Sequence, residues 1–278
     1  MSNIIDKAKE EFYKTIKYSK NELENRIENL EIEKAIGKAV KLAYNDAKRT
    51  MTGIGVYEDE KADALYEIIE KLKEYFNATS VSEESEFDEK HKEMCDIWHN
   101  QFKNINKLGT YGKAQKIVNM AFKYLYCCKD AEEYKAYFKY CHVALDSFTL
   151  EWFVREVESA KEIVKKYVST WSSIEEYNAE DENETYSYMF YQNEFRNLKS
   201  KNEALSDLTP FQKEFIMWPY YKNKLVAESF LIGLIDQPDN NVKNKIKRNS
   251  IFDNYEEIKY QINKVEESNL VQIFKNII

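Results

Sequence analysis

The chain predicts an all-α, multi-helix globular protein, and three observations carry that prediction. Glycine and proline are scarce, with 6 and 3 copies in 278 residues, too few for the turns of an all-β fold of this length. Apolar residues recur at helical spacing along most of the chain. No stretch shows the two-residue alternation of a half-buried strand, and no internal repeat is evident.

The elements follow in order. From Ile4 to about Leu30 a thin apolar stripe (Ile5, Ala8, Phe12, Ile16, Leu23, Ile27, Leu30) runs along a lysine- and glutamate-rich surface, which predicts a long charged helix on the outside of the protein. Such a helix can pack on its own domain or on a second copy of the chain. Ala35, Ala39, Leu42 and Ala43 mark a second helix, ended by the glycines of Thr52–Gly55. Ala62 to Phe76 is a third. Residues 77–87 are polar, acidic and aperiodic, a loop or linker and the one internal boundary of the first half. The organisation expected is an N-terminal helical region 1–76, that loop, and a main helical domain 88–278, or else one domain throughout. A helix is predicted from about Asp88 to Ile105, and another begins at Asp146 and extends toward Val168. An acidic loop covers 178–184, and helices cover about Tyr186 to Lys201 and Pro210 to Leu234. The last of these has Thr209 as its cap and Pro210 at its first position, with a break or kink before Pro219. A polar stretch with the basic run KNKIKR fills 237–250, and a closing helix runs from Asp253.

The formal charge is −8 and the sequence pI about 5.3. Duplex nucleic acid is bound largely by neutralising phosphates, so this balance disfavours a DNA partner and favours a small ligand or a protein. No segment reads as a signal peptide or reaches the length that spans a bilayer. The four cysteines, Cys95, Cys127, Cys128 and Cys141, have neither disulfide-scaffold nor zinc-ribbon spacing. A reducing cytoplasm is expected, with no membrane partner and no cofactor.

Three groups of residues are candidates for chemistry. His91, Cys95 and His99 share one helix face, but eight residues of helix span about 12 Å, too far for one ion, so no metal site is expected. Trp98, Trp152, Trp171 and Trp218, with Tyr220 and Tyr221 beyond Pro219, are core fillers or stacking surfaces for a ligand. The third group lies in residues 108–153. Leu108 to Gly112 reads as a tight hairpin whose amides, with those of the following helix start, can face an anion. Lys116 lies early in that next helix, where by itself a solvated position is the ordinary expectation. Asp146 stands before an amphipathic helix as a natural N-cap.

Together these residues resemble the helix–hairpin–helix DNA glycosylases, in particular the 8-oxoguanine DNA glycosylase type. GKAQKIVN (Gly112 to Asn119) is similar to the hairpin leading to a catalytic lysine, with Lys116 at the lysine. HVALD (His142 to Asp146) is similar to the segment that presents the catalytic aspartate, with Asp146 in that place. The resemblance covers about 45 residues. The hairpin is not Leu-Pro-Gly-Val-Gly, the interval from lysine to aspartate is longer, and Ala144 stands where the family has proline.

The resemblance implies a glycosylase-like pocket in which Lys116 attacks a sugar and Asp146 stabilises the cationic transition state. Gly112, Lys113, Lys116, His142, Asp146, Trp152, Trp218 and Tyr220 would line it for an extruded base. Such a pocket can also hold a free nucleotide without reacting. The acidic charge and altered hairpin favour that second use: nucleobase or small-nucleotide binding, suited to sequestering or sensing a signal in bacterial defence or phage counter-defence. An active glycosylase or lyase is the alternative, and a helical protein-interaction module the third.

Overall fold

The computed structural model describes residues 2–16, 26–156, 171–178, 187–198 and 203–235, and among these every regular element is a helix. The expected acidic loop at 178–184 lies almost wholly outside them, and the basic run and closing helix entirely so. None of the described helices is long and apolar enough to cross a membrane.

Helix α1 (Ser2–Thr15) buries Ile5, Ala8 and Phe12, the first part of the predicted stripe. It does not continue to Leu30 as expected. The Thr15 hydroxyl donates to the Phe12 carbonyl at 2.7 Å, the kind of side-chain competition for backbone that favours an end. Residues 17–25, with Leu23, lie outside the described part, and Ile27–Asn29 form a single 3-10 turn. Helix α2 (Ile32–Ala47) buries an alanine- and isoleucine-rich face. Its first amide, Ile32 N, donates to the Asp130 carboxylate 3.0 Å away. Gly53, at φ +87°, makes the turn toward α3 (Glu58–Asn77).

The predicted loop at 77–87 is shorter than expected. Glu86 accepts from Ser82 N at 2.9 Å, which fastens the loop to a helix already begun, so α4 spans Glu84–Phe102. Buried residues on both sides of this loop join one cluster that runs from Ile5 to Tyr221.

At the centre lies α5 (Tyr111–Leu125), buried at every position from Gly112 to Leu125. Helices α2 and α4 pack on it, α3 packs on both of these, and α6 (Lys135–Phe138) follows. After an irregular crossing at residues 141–146 come α7 (Ser147–Glu156), α8 (Tyr188–Asn197), α9 (Glu203–Ser206) and α10 (Pro210–Ile235). Helix α10 packs on α7 and α1. Its start is as predicted and reciprocal: Thr209 Oγ1 accepts from Gln212 N, and Gln212 Oε1 accepts from Thr209 N, both at 3.2 Å. The expected break at Pro219 is absent, and the helix runs through it. Proline removes one amide donor but leaves the neighbouring turns bonded, and Phe211, Phe215 and Tyr221 are held in the core on either side.

One ion pair fixes α5 to α10. Lys123 Nζ lies 2.6 Å from Glu214 Oε1, and each side chain is 1% exposed. Phe12, Phe215 and Trp218 present ring faces to the same ammonium. Glu214 Oε2 accepts from Ala144 N at 2.9 Å. Removing one partner of such a pair leaves a bare buried charge, at a cost of about 3–5 kcal/mol. Lys123→Met is therefore expected to lower the free energy of unfolding in denaturant by about that amount. Adding Glu214→Gln should recover more than half, since no charge stays buried and the amide oxygen still accepts from Ala144 N. A double variant less stable than the single would contradict this account.

Candidate functional site

Helix α5 begins where two chain segments nearly touch. Thr110 caps it, accepting from Lys113 N through Oγ1 and donating from the same hydroxyl to the Ser172 carbonyl at 2.7 Å. A Cβ at Gly112 would stand 1.9 Å from the Trp171 carbonyl oxygen, so only glycine allows this approach. Four of the amides expected to face an anion are bonded within the protein, Leu108 N donating to Ile105 O at 2.7 Å. Gly112 N donates to Ile174 O at 3.0 Å, while Lys113 N and Ala114 N donate to Thr110 O. The Lys113 ammonium is likewise engaged, 2.8 Å from both the Lys107 and Ser172 carbonyls. Gly112 and Lys113 hold the 171–174 segment against α5.

Lys116 is not the solvated residue its position suggested. It is 6% exposed, and its Nζ lies 2.9 Å from Asp146 Oδ2. Asp146 does cap α7, its Oδ1 accepting from Phe148 N at 2.9 Å and Thr149 N at 3.0 Å. Oδ2 accepts a second bond from Trp218 Nε1 at 2.8 Å. Burial raises the carboxyl pKa, but the Lys116 charge and these hydrogen bonds outweigh it and hold the group below its ordinary range. Both oxygens are thus occupied by donors. Two half-buried indoles stand beside the pair, Trp218 and Trp171, the latter with its ring 5.9 Å from Lys116 Nζ. Phe148 meets Trp218 edge-on at 5.5 Å.

The other expected lining residues have other neighbours. Trp152 packs on Phe195 at 4.6 Å in the core between α7 and α8, one turn along α7 from the buried Thr149. Tyr220 is half-buried and edge-on to Tyr221. His142 belongs to a buried polar network. Its Nε2 donates to Asp88 Oδ1 at 2.7 Å and its Nδ1 accepts from the Tyr188 hydroxyl at 2.8 Å. The short carboxylate contact places the proton on Nε2. Arg196 grips the same Asp88 through two nitrogens, at 2.6 and 3.0 Å. His91 lies 4.4 Å from the His142 ring, ring centre to centre, and its Nε2 donates to Asn119 Oδ1 at 2.8 Å. His99 instead binds the Gly109 carbonyl and stacks on Tyr111. Among the described residues no group of three or more His, Cys, Asp or Glu can hold a metal ion, and all four cysteines are free and buried.

Several residues that build this region carry no motif. Gln115, Asn119, Gln192 and Glu214 bind the backbone of residues 143–145. Asp46, at the end of α2, accepts from the Tyr124 hydroxyl at 2.6 Å and interacts electrostatically with both Lys116 and Asp146. The usable signal was the presence of Lys113, Lys116 and Lys123 in an otherwise apolar helix, since each buried charge requires a partner elsewhere.

The two inner histidines make the fold acid-sensitive. Burial and the Arg196 charge outweigh the Asp88 bond and hold His142 at about 4, while burial and the neighbouring His142 push His91 well below its ordinary value. In an unfolded chain both titrate near about 6.5, so the unfolded state binds more protons below that pH. Stability is therefore complete above about pH 7 and falls as pH drops from about 6.5 toward 4, by up to about 1.4 kcal/mol per pH unit for each histidine. Asp88, raised by burial but brought down to about 2 by His142 and Arg196, adds its own loss only below about pH 4. Denaturant midpoints measured between pH 8 and 4.5 should be flat and then decline. A midpoint unchanged from pH 7 to 5 would show that these imidazoles are not held neutral.

No protein-family model, no curated protein and no solved structure matches the chain.

Proposed function

We propose that the chain binds a nucleobase or small nucleotide at the Lys116–Asp146 pair and holds it without reacting, as a sequestering or sensing protein. A bacterial defence or phage counter-defence setting suits that role. The observation that carries this reading is the pair itself, a buried ammonium and carboxylate 2.9 Å apart with the indoles of Trp171 and Trp218 beside it. Half-buried indole faces suit a planar ring, and base–aromatic stacking contributes about 1–3 kcal/mol per base. The resemblance of GKAQKIVN and HVALD to a base-extruding family points to the same ligand class.

The geometry favours binding over lysine chemistry. An attacking amine must turn toward the sugar, whereas Lys116 Nζ is held against Asp146 Oδ2 at 2.9 Å. All the acceptor positions Asp146 would offer a developing cation are used by Lys116, Trp218 and two backbone amides. The amides of Gly112, Lys113 and Ala114 are bonded within the protein, and the net charge is negative, which favours a small ligand over a DNA backbone.

A saturating nucleoside or nucleotide, at about a hundredfold over its dissociation constant, should stabilise the protein by about 2.7 kcal/mol and raise its melting temperature by about 5 °C or more. Trp171→Leu should remove most of that shift while leaving the unliganded protein folded. Borohydride reduction in the presence of oligonucleotides with damaged bases should yield no lysine–sugar adduct. A trapped adduct lost in Lys116→Gln would replace this reading with glycosylase or lyase activity.

A further inference from the structure

The carboxyl of Asp46 lies within electrostatic reach of Lys116 and Asp146. Lys116, Met120 and Tyr124 stand four residues apart and share one face of α5, and a long helical side chain leans back toward the helix N-terminus. The Tyr124 hydroxyl is thereby carried toward the turn of Lys116, where it donates to Asp46 Oδ2 at 2.6 Å. Asp46 Oδ1 accepts no hydrogen bond from the described residues, and the side chain is only half-buried. Its charged neighbours come from every side: Lys116 on α5, Arg49 in the turn after α2, and Asp146 at the start of α7. A carboxyl so placed has one oxygen oriented by tyrosine and one open oxygen.

We propose that Asp46 recognises an adenine- or cytosine-type base, pairing as the neutral acid with an edge that has an amino group beside an unprotonated ring nitrogen. Oδ1–H donates to the ring nitrogen, and Oδ2, which keeps one lone pair beside the Tyr124 bond, accepts from the amino group. The proton is taken from solvent on binding. Burial and the Asp146 charge favour that protonation; Tyr124, Lys116 and Arg49 oppose it, and the balance raises the carboxyl above its ordinary range. On their Watson–Crick edges guanine and uracil carry N–H at the corresponding ring position and would place a donor against a donor, and the one amino edge of guanine with an unprotonated ring nitrogen lies against its sugar. This inference rests on the reading of the Lys116–Asp146 region as a base-binding site.

The test is calorimetry on the full chain with adenosine, cytidine, guanosine and uridine, in buffers of different ionisation enthalpy. Adenosine or cytidine is expected to bind at least tenfold more tightly than the other two, with uptake of up to one proton. Affinity should rise as pH falls, by up to about tenfold per unit. Asp46→Asn presents the same donor and acceptor without a titrating proton, so it should bind within about threefold of the parent at low pH and lose both the uptake and the pH dependence. Asp46→Ala should weaken binding at least tenfold. Binding without proton uptake, or Asp46→Asn as damaged as Asp46→Ala, would overturn the role of Asp46 and leave the site reading standing. If none of the four nucleosides binds the parent protein, the site reading falls, and this inference with it.

Discussion

The crossing at residues 141–146 is the constraint on which the rest depends. It runs through the core outside any helix and, among the described residues, beside no strand, yet Val143, Ala144 and Leu145 are fully buried. A buried peptide group without a partner costs about as much as a lost hydrogen bond, and here several are at stake. Side chains fill the place of a strand. Gln192 binds both the amide and the carbonyl of Val143, and Gln115 does the same for Leu145. Ala144 turns the other way, its amide bonded to Glu214 and its carbonyl to Thr149. The alternation is that of a β-ladder, with partners drawn from α5, α7, α8 and α10.

This arrangement explains why α5 is both the most buried helix and one that carries lysines. Gln115 and Asn119 must face the crossing, which sets the helix rotation and leaves Lys116 and Lys123 pointing at α7 and α10. Each lysine then needs an acid in a low-dielectric place. Asp146 and Glu214 supply it, and Glu214 satisfies the Ala144 amide with its second oxygen. Buried ion pairs gain little net stability against their desolvation. A slip of α10 along α5 would strand two charges and an amide together, so the contact penalises other registers.

The sequence shows the helices well, because burial on one face writes itself as apolar spacing. Ile32–Ala47 and Glu58–Asn77 follow their predicted stripes, and the Thr209–Pro210 start is as read. It shows the end of α1 and the start of α4 poorly, since a threonine back-bond and a Ser82–Glu86 contact leave no periodic mark. Lys116 and Asp146 were legible as a pair only through their likeness to a known arrangement, and they do meet. Trp152 lies in a ring cluster and His142 in a polar network that the sequence does not announce, because residue type alone does not say which side of a helix or crossing a ring occupies. Glu214, Gln192 and Asp46 lie far along the chain from the residues they serve, and spacing cannot reveal a partner 49 to 91 positions away.

The same wiring bears on what the site can do. Asp146 is held by its own helix cap, by Lys116 and by Trp218, and the residue before it is clamped by Gln115. Gln115 accepts from Asn119, which donates to Tyr188 and accepts from His91, so the polar network on one side of the crossing continues to the pair on the other. A carboxylate fixed on so many sides is pre-organised at no further cost when a ligand arrives. It is also poorly suited to a reaction that asks it to release one partner and take up another. Tight positioning with saturated acceptors suits the proposed recognition role better than chemistry, and under that proposal the second oxygen of Asp46 is the one left to bond a ligand.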